Sequence, residues 1–248
     1  MRSQAKRAPQ PTLPPKTLRE EIAVVLFLSL LASAVYAIIS YTQAPLKGVT
    51  IHSIPQVSFP TQLANIVFGL APVWLVVYLV RRNGEGLGAI GLGAQRLAQD
   101  VGRGVVLFAF AAVVGIGIYL GAVALGVNRF VVPVPPLGHW WTVPVLVLTG
   151  LEAALIEEVI VVGYLTTRLQ QLGLTAAAAV GASALLRGTY HLYQGWGGFA
   201  GNLALGLFFG AVFVRTRRTW PLVVAHFLLD VGAGAGYLLF REHLPGFR

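Results

Sequence analysis

Apolar and polar positions fall along this chain in long blocks rather than in short alternation, and the blocks predict membrane spans. A polar, Pro-rich opening gives way to an apolar run from Ile22 to Tyr41. Its Ala32-Ser33-Ala34 triplet suits a signal-peptidase site, but the run continues past it, so it reads as an uncleaved first span. Thr42 to Pro60 is a loop broken by Pro45, Pro55 and Pro60. Leu63 to Val80 predicts a second span, kinked at Pro72. A Gly-rich basic loop, Arg81 to Arg103, precedes a third span from Val105 to Leu125. After a Pro-rich loop, Gly126 to His139, a longer fourth helix runs from Trp140 to about Leu169. Leu174 to Tyr190, Phe199 to Val214 and Trp220 to Phe240 complete the set. The expectation is an all-α, polytopic transmembrane bundle of about seven to eight spans, each needing about 20 apolar residues. Residues 1–21 are expected to form a basic flexible cytoplasmic arm, and residues 22–248 a single membrane domain.

Composition agrees. Of 248 residues, 56% are hydrophobic and 11% charged, against about 25% charged in ordinary soluble domains. That excludes disorder and a typical soluble enzyme. There is no cysteine, so disulfides and thiolate chemistry are excluded. The net charge of +9 is read as topology rather than as a nucleic-acid footprint. With the N-terminus inside, the inner segments hold Arg2, Lys6, Arg7, Lys16, Arg19, Arg81, Arg82, Arg96, Arg103, Arg168, Arg215, Arg217 and Arg218. The outer segments hold only Lys47, Arg129, Arg187, Arg241 and Arg248. Trp140, Trp141, Trp196 and Trp220 read as interfacial anchors. An Arg-rich, Lys-poor composition dominated by Ala, Gly, Leu and Val points to a bacterial plasma membrane.

Two patterns are discounted. Gly86-Leu-Gly88-Ala-Ile-Gly91 fits a dinucleotide fingerprint, but no βαβ unit surrounds it, and it reads as a flexible turn. The pairs Gly117/Gly121 and Gly206/Gly210 read as helix-packing positions, within the chain or in a dimer.

The informative residues are the ionisable ones inside apolar blocks: Glu152, Glu157, Glu158, His191, His226 and Asp230. An acid at the centre of a span costs about 2.5–3.5 kcal/mol on insertion scales, so this cluster needs a polar partner or a wet cavity. His226 and Asp230, at i and i+4, share one helix face. On an α-helix Glu157 and Glu158 point about 100° apart, and Glu152 lies about 140° off the face of Glu157. Glu152 is therefore read as a packing acid. Glu157, Glu158 and His226 can meet in one inner-half cavity. In a straight fifth helix His191 sits near the outer face, and a break at Gly181 or Gly188, or a re-entrant turn at Gly195-Trp196-Gly197-Gly198, would be needed to bring it down. A carboxylate beside imidazoles in a secluded cavity suits water activation and oxyanion stabilisation. No cofactor is demanded by the sequence. Glu and His are also zinc ligands, which leaves a divalent metal open.

These residues carry a resemblance. Glu157-Glu158-Val-Ile-Val-Val-Gly163-Tyr164-Leu165 resembles the first motif of the CPBP family, the CAAX proteases and bacteriocin-processing enzymes. That motif is a Glu pair followed by an Arg, a Gly and a Leu. His191 resembles the second motif, a His preceded four places earlier by an aromatic residue, and His226-Phe-Leu-Leu-Asp230 the third. The likeness covers roughly residues 140–237. It implies an intramembrane endopeptidase acting on a membrane-associated peptide or protein. Glu157 and Glu158 would supply the water-activating carboxylate and its support. His191 and His226 would position water and oxyanion, and Asp230 would orient them. Two positions depart from the pattern: Val162 stands where the family has Arg, and Arg187 where it has an aromatic residue. The exchange suggests that Arg187 pairs with a Glu; it also raises a catalytically silent scaffold or immunity protein as an alternative. A proton-coupled transporter is the other alternative, though no matching halves are evident.

Overall fold

The computed structural model describes residues 13–43, 50–52 and 58–241. Arg2, Lys6, Arg7, Pro45, Lys47, Pro55, Glu242 and Arg248 lie outside the described residues. The chain opens with α1 (Pro15–Phe27) and α2 (Leu30–Gln43). Residues 15–21, expected in the arm, are the first turns of α1. The expected first span, Ile22 to Tyr41, is shared between these two helices, which meet at a 52° bend. Neither Pro nor Gly marks this break; Ser29 Oγ donates to the Val25 carbonyl at 2.6 Å and takes up one backbone acceptor there. The helices α3 (Phe59–Gly69) and α4 (Ala71–Arg82) form the second passage. It is interrupted at Leu70, two residues before the Pro72 that lacks an N–H.

Helix α5 (Leu97–Ala124) is the longest and turns Val106, Phe110, Val113 and Ile116 outward. The fourth passage is continuous but changes register. It comprises α6 (Thr142–Leu155), a π-helical stretch Ile156–Leu165, and α7 (Thr166–Gln171). It is followed by α8 (Ala176–Tyr190), a 3₁₀ turn Leu192–Gln194, α9 (Trp196–Thr216) and α10 (Trp220–Phe240). A short parallel ladder pairs β1 (Thr50–His52) with β2 (Phe130–Val132), so the Pro-rich loop after α5 contains a strand just before Pro133. Phe59–Arg82, α5, α9 and α10 are each long and apolar enough to cross a membrane, and the bent α1–α2 pair adds a fifth.

The π-helical stretch is buried all round, as a helix at the centre of a bundle should be. Val159, Ile160 and Tyr164 pack on Val76, Leu79 and Val80 of α4. Val161 packs with Leu30, Ala34 and Tyr190. Val162 packs with Ala111, Phe209, Phe213 and Leu222.

The basic loops converge at one end. Arg168 donates to Glu85 at 2.7 Å, Arg217 to Gln170 at 2.7 Å, and Arg218 to Asp100. The Gly-rich segment expected to be a flexible turn is packed instead. Leu87–Ile90 forms a 3₁₀ turn with Ile90 fully buried. Thr219 Oγ1 donates to the Ile90 carbonyl at 2.7 Å, and its N–H to the Gly91 carbonyl at 3.0 Å. Gly163 leaves the room for this: a Cβ there would stand 2.8 Å from the Ile90 oxygen. Gly206 and Gly210 receive α8 through Ala184 and Val180, so this pair serves packing within the chain, while Gly117 and Gly121 face open space.

Candidate active site

Glu157 and Glu158 lie in the first turn of the π-helical stretch. Its i→i+5 bonding widens the turn and narrows the angle between neighbouring side chains. Both carboxylates reach one polar cage. Ser183 on α8 steadies the stretch by donating to the Val161 carbonyl at 2.7 Å.

Arg187, on the last turn of α8, stands between the two acids. Its Nη1 donates to Glu158 Oε1 at 2.6 Å and its Nη2 lies 3.2 Å from Glu157 Oε2. The sequence placed this arginine among the outer-loop cations; the structure buries it to 1% exposure. Tyr190, three residues on along the same helix, donates its hydroxyl to Glu157 Oε2 at 2.8 Å. The sequence reading missed this tyrosine, whose only signal was its place beside His191.

His226 comes from the second turn of α10. Its Nδ1 lies 2.8 Å from Glu158 Oε1, and its Nε2 lies 3.5 Å from Asp230 Oδ2 one turn further on. A carboxylate oxygen accepts, so the proton on this edge is assigned to Nδ1 by its partner. Asp230 is the most open member, with a side chain 39% exposed.

His191 also reaches the site: its Nε2 stands 3.5 Å from Glu157 Oε1. No bend within its helix is needed. With 15 residues, α8 is about 22 Å long at 1.5 Å per residue. It therefore ends part-way through the bundle, near the level of Glu157. The 3₁₀ turn and Gly195 (φ 98°), a left-handed conformation suited to glycine, then reverse the chain into α9. Beneath this turn, Arg129 donates to the Tyr193 carbonyl at 2.8 Å, and its N–H to that of Gln194 at 2.8 Å. Gln194 holds the other ring nitrogen of His191 at 3.1 Å.

All five predicted residues, Glu157, Glu158, His191, His226 and Asp230, thus line one site. Glu152 does not. Its carboxylate lies against Gly69, filling the space that a side chain there would take.

The two acids of the pair are not equivalent. Glu158 is completely buried, held by Arg187 and His226, whereas the Glu157 side chain keeps 11% of its surface. Glu157 Oε2 is taken by Tyr190 and Arg187, while Oε1 faces His191 across a gap that no direct hydrogen bond closes; His191 Nε2 has no hydrogen-bond partner. Among the described residues no group of three or more His, Asp or Glu side chains is disposed to hold a metal ion. The paired carboxylates converge on a guanidinium.

Residues 139–232 match the family model described as Rce1-like, Type II CAAX prenyl endopeptidase Rce1-like. No curated protein and no solved structure matches the chain.

Proposed function

We propose, from the match of residues 139–232 to the Rce1-like family model and from the site geometry, that the protein is an intramembrane endopeptidase in which Glu157 activates the attacking water. The observation that carries this reading is the 3.5 Å separation of Glu157 Oε1 from a His191 Nε2 that has no hydrogen-bond partner. A water beside it can donate to the carboxylate and be oriented by the imidazole. Glu157 takes one water proton as the oxygen adds to the scissile carbonyl carbon. The oxyanion that forms is stabilised by the Nε2–H of a doubly protonated His226, which keeps its Nδ1–H on Glu158 and is oriented by Asp230. Collapse breaks the C–N bond, and the proton held by Glu157 passes to the leaving amine. Glu158 does not touch the water; it fixes Arg187 and the His226 ring.

The substrate in this reading is a membrane-associated peptide or protein, with a prenylated C-terminal peptide as the first to try. The bundle in this reading lies in a bacterial plasma membrane, with the end rich in Arg168, Arg217 and Arg218 on the cytoplasmic side. The test is cleavage by protein purified in detergent and returned to nanodiscs, assayed on fluorogenic farnesylated peptides and a panel of membrane peptides. Cleavage that disappears in Glu157→Gln supports the reading. Cleavage unchanged in Glu157→Gln, or no cleavage of any member of the panel by the unaltered protein, overturns it.

A further inference from the structure

We infer that Arg187 is a positioning residue for this reaction, a guanidinium supplied from α8 to hold two carboxylates on the neighbouring helix in their working geometry. The inference rests on the peptidase reading and deepens it.

Three independent observations carry it. The fork of Arg187 spans both acids at once, Nη1 on Glu158 Oε1 at 2.6 Å and Nη2 at 3.2 Å from Glu157 Oε2. A planar fork can do this; a point-charge ammonium cannot hold both in fixed directions. The oxygen of Glu158 that it grips is also the one facing His226 Nδ1. One cation therefore sets the orientation of the proposed base, its neighbouring acid and a histidine, on two helices besides its own.

Second, the fold makes room for this side chain. Gly206 on α9 faces α8, and a Cβ there would stand 2.9 Å from Ala184 Cα and 3.2 Å from Arg187 Cδ. The glycine admits the stem of the arginine as well as the helix backbone.

Third, the cation has an alternative origin within the same space. The Arg187 guanidinium sits 5.8 Å from the centre of the Phe209 ring. Phe209 also packs against Val162, which lies four residues beyond Glu158 and is 1% exposed. Position 162 is where the resembling motif carries its arginine. A side chain there and the end of Arg187 share the same aromatic wall, which is the ground for testing an arginine at 162 in place of Arg187.

Arg187 does not meet the proposed water. Its effect runs through Glu157: with Oε2 held by Arg187 and Tyr190, Oε1 is left aimed at His191. Losing that aim lowers turnover and leaves substrate binding unchanged.

The experiment compares Arg187→Leu, Arg187→Lys and the double variant Val162→Arg/Arg187→Leu with the unaltered protein in nanodiscs, measuring kcat, KM and Tm. A misplaced base of this kind costs about a hundredfold in rate. That loss in kcat is expected for Arg187→Leu, with KM within about threefold, since uniform binding is untouched. The double variant is expected to regain at least about tenfold of kcat. A folded Arg187→Leu protein with kcat within about threefold of the unaltered enzyme overturns the inference. So does a double variant that folds and regains nothing. Should Arg187→Leu fail to fold, Arg187→Lys carries the test: a kcat about tenfold lower at constant KM is expected, and an unaltered kcat overturns it. These failures are separable from failure of the peptidase reading. If Glu157→Gln is inactive while Arg187 variants work normally, only the inference falls. If the unaltered protein cleaves nothing, the peptidase reading falls, and Tm alone then tests the cage: recovery in the double variant supports the relocated cation, and no recovery overturns it.

Discussion

Glu152 and the Glu157–Glu158 pair stand on one continuous helical passage, yet the protein treats them in opposite ways. Glu152 belongs to the α-helical part, lies half-buried, and presses its carboxylate into the notch left by Gly69. Among the described residues no hydrogen bond or ion pair reaches it. The pair lies just past the change to i→i+5 bonding, where Arg187 and Tyr190 of α8 and His226 of α10 close around it. The contrast teaches that an acid sunk in an apolar helix becomes chemically useful through what neighbouring helices bring to it, and through a local register that turns it toward them. A lone acid is accommodated by a notch. A pair of acids in a dry interior needs a cation and donors.

Substitutions at the two places should therefore differ by orders of magnitude in turnover. Glu157→Gln keeps the volume and most hydrogen bonds while removing the basic oxygen. Loss of a general base costs about 10²–10⁴-fold, and a fall in kcat within that range, with the protein still folded by circular dichroism and Tm, is expected. Activity within a few-fold of normal would place the base elsewhere. Tyr190→Phe removes one donor to the same carboxylate and nothing else. A hydrogen bond to a charged group is worth about 1.5–3 kcal/mol, so kcat should drop by roughly ten- to a hundredfold. If Tyr190→Phe were silent, the aim of Glu157 would not depend on Oε2.

How much of this could be read beforehand follows from the kind of signal each feature leaves. The seventh helix was legible to its ends, Trp220 and Phe240, because the basic run before it and the polar residues after it bracket an unbroken apolar block. The His226–Asp230 pairing was legible because i, i+4 spacing on an α-helix leaves a single geometry. The depth of His191 was not, because Leu174 to Tyr190 is mostly apolar, and hydropathy does not say that this helix ends part-way across the bundle. The change to π-helical bonding at Ile156 carries no composition mark either; a block of Val and Ile satisfies i→i+4 and i→i+5 equally. The expected 100° separation of the glutamates was thus wrong in its premise. Arg187 was counted with the outer cations because a cation at the end of an apolar block looks like a boundary, although its exchange with position 162 had suggested the pairing with a Glu that the structure shows. Only the third dimension shows that the end of α8 is the centre of the site. The break at Leu28–Ser29 has no Pro or Gly to announce it.

The comparison can be sharpened below the pair as well. Gly163 lies five residues past Glu158, where the buried 3₁₀ turn at Ile90 presses against the π-helical stretch. Gly163→Ala would set a methyl 2.8 Å from the Ile90 carbonyl and 3.0 Å from Thr219 Oγ1. Overpacking of this sort typically costs about 1–3 kcal/mol, and a lower Tm is the expected result. Because the glutamates sit on the same stretch, kcat should fall with it. A variant with unchanged Tm would mean that the Gly86–Gly91 segment yields freely, as the sequence alone had suggested.

The smallest effect belongs to the other acid. Glu152→Gln keeps the shape that fills the Gly69 notch and removes only the charge. Nothing in the cage touches it, so kcat and KM should both stay within about twofold. Stability should hold or rise slightly, since an acid with no cation beside it gains from losing its charge inside a membrane. The partner substitution makes the point independently. Gly69→Ala places a Cβ where the Glu152 carboxylate now lies, and the flexible end of that side chain must swing away. Turnover should again hold, while Tm falls by an amount that Glu152→Ala restores when the two are combined. A loss of cleavage in Glu152→Gln comparable to that in Glu157→Gln would erase the distinction between the two places on the helix. The proton path would then run the length of the passage instead of ending at one caged carboxylate.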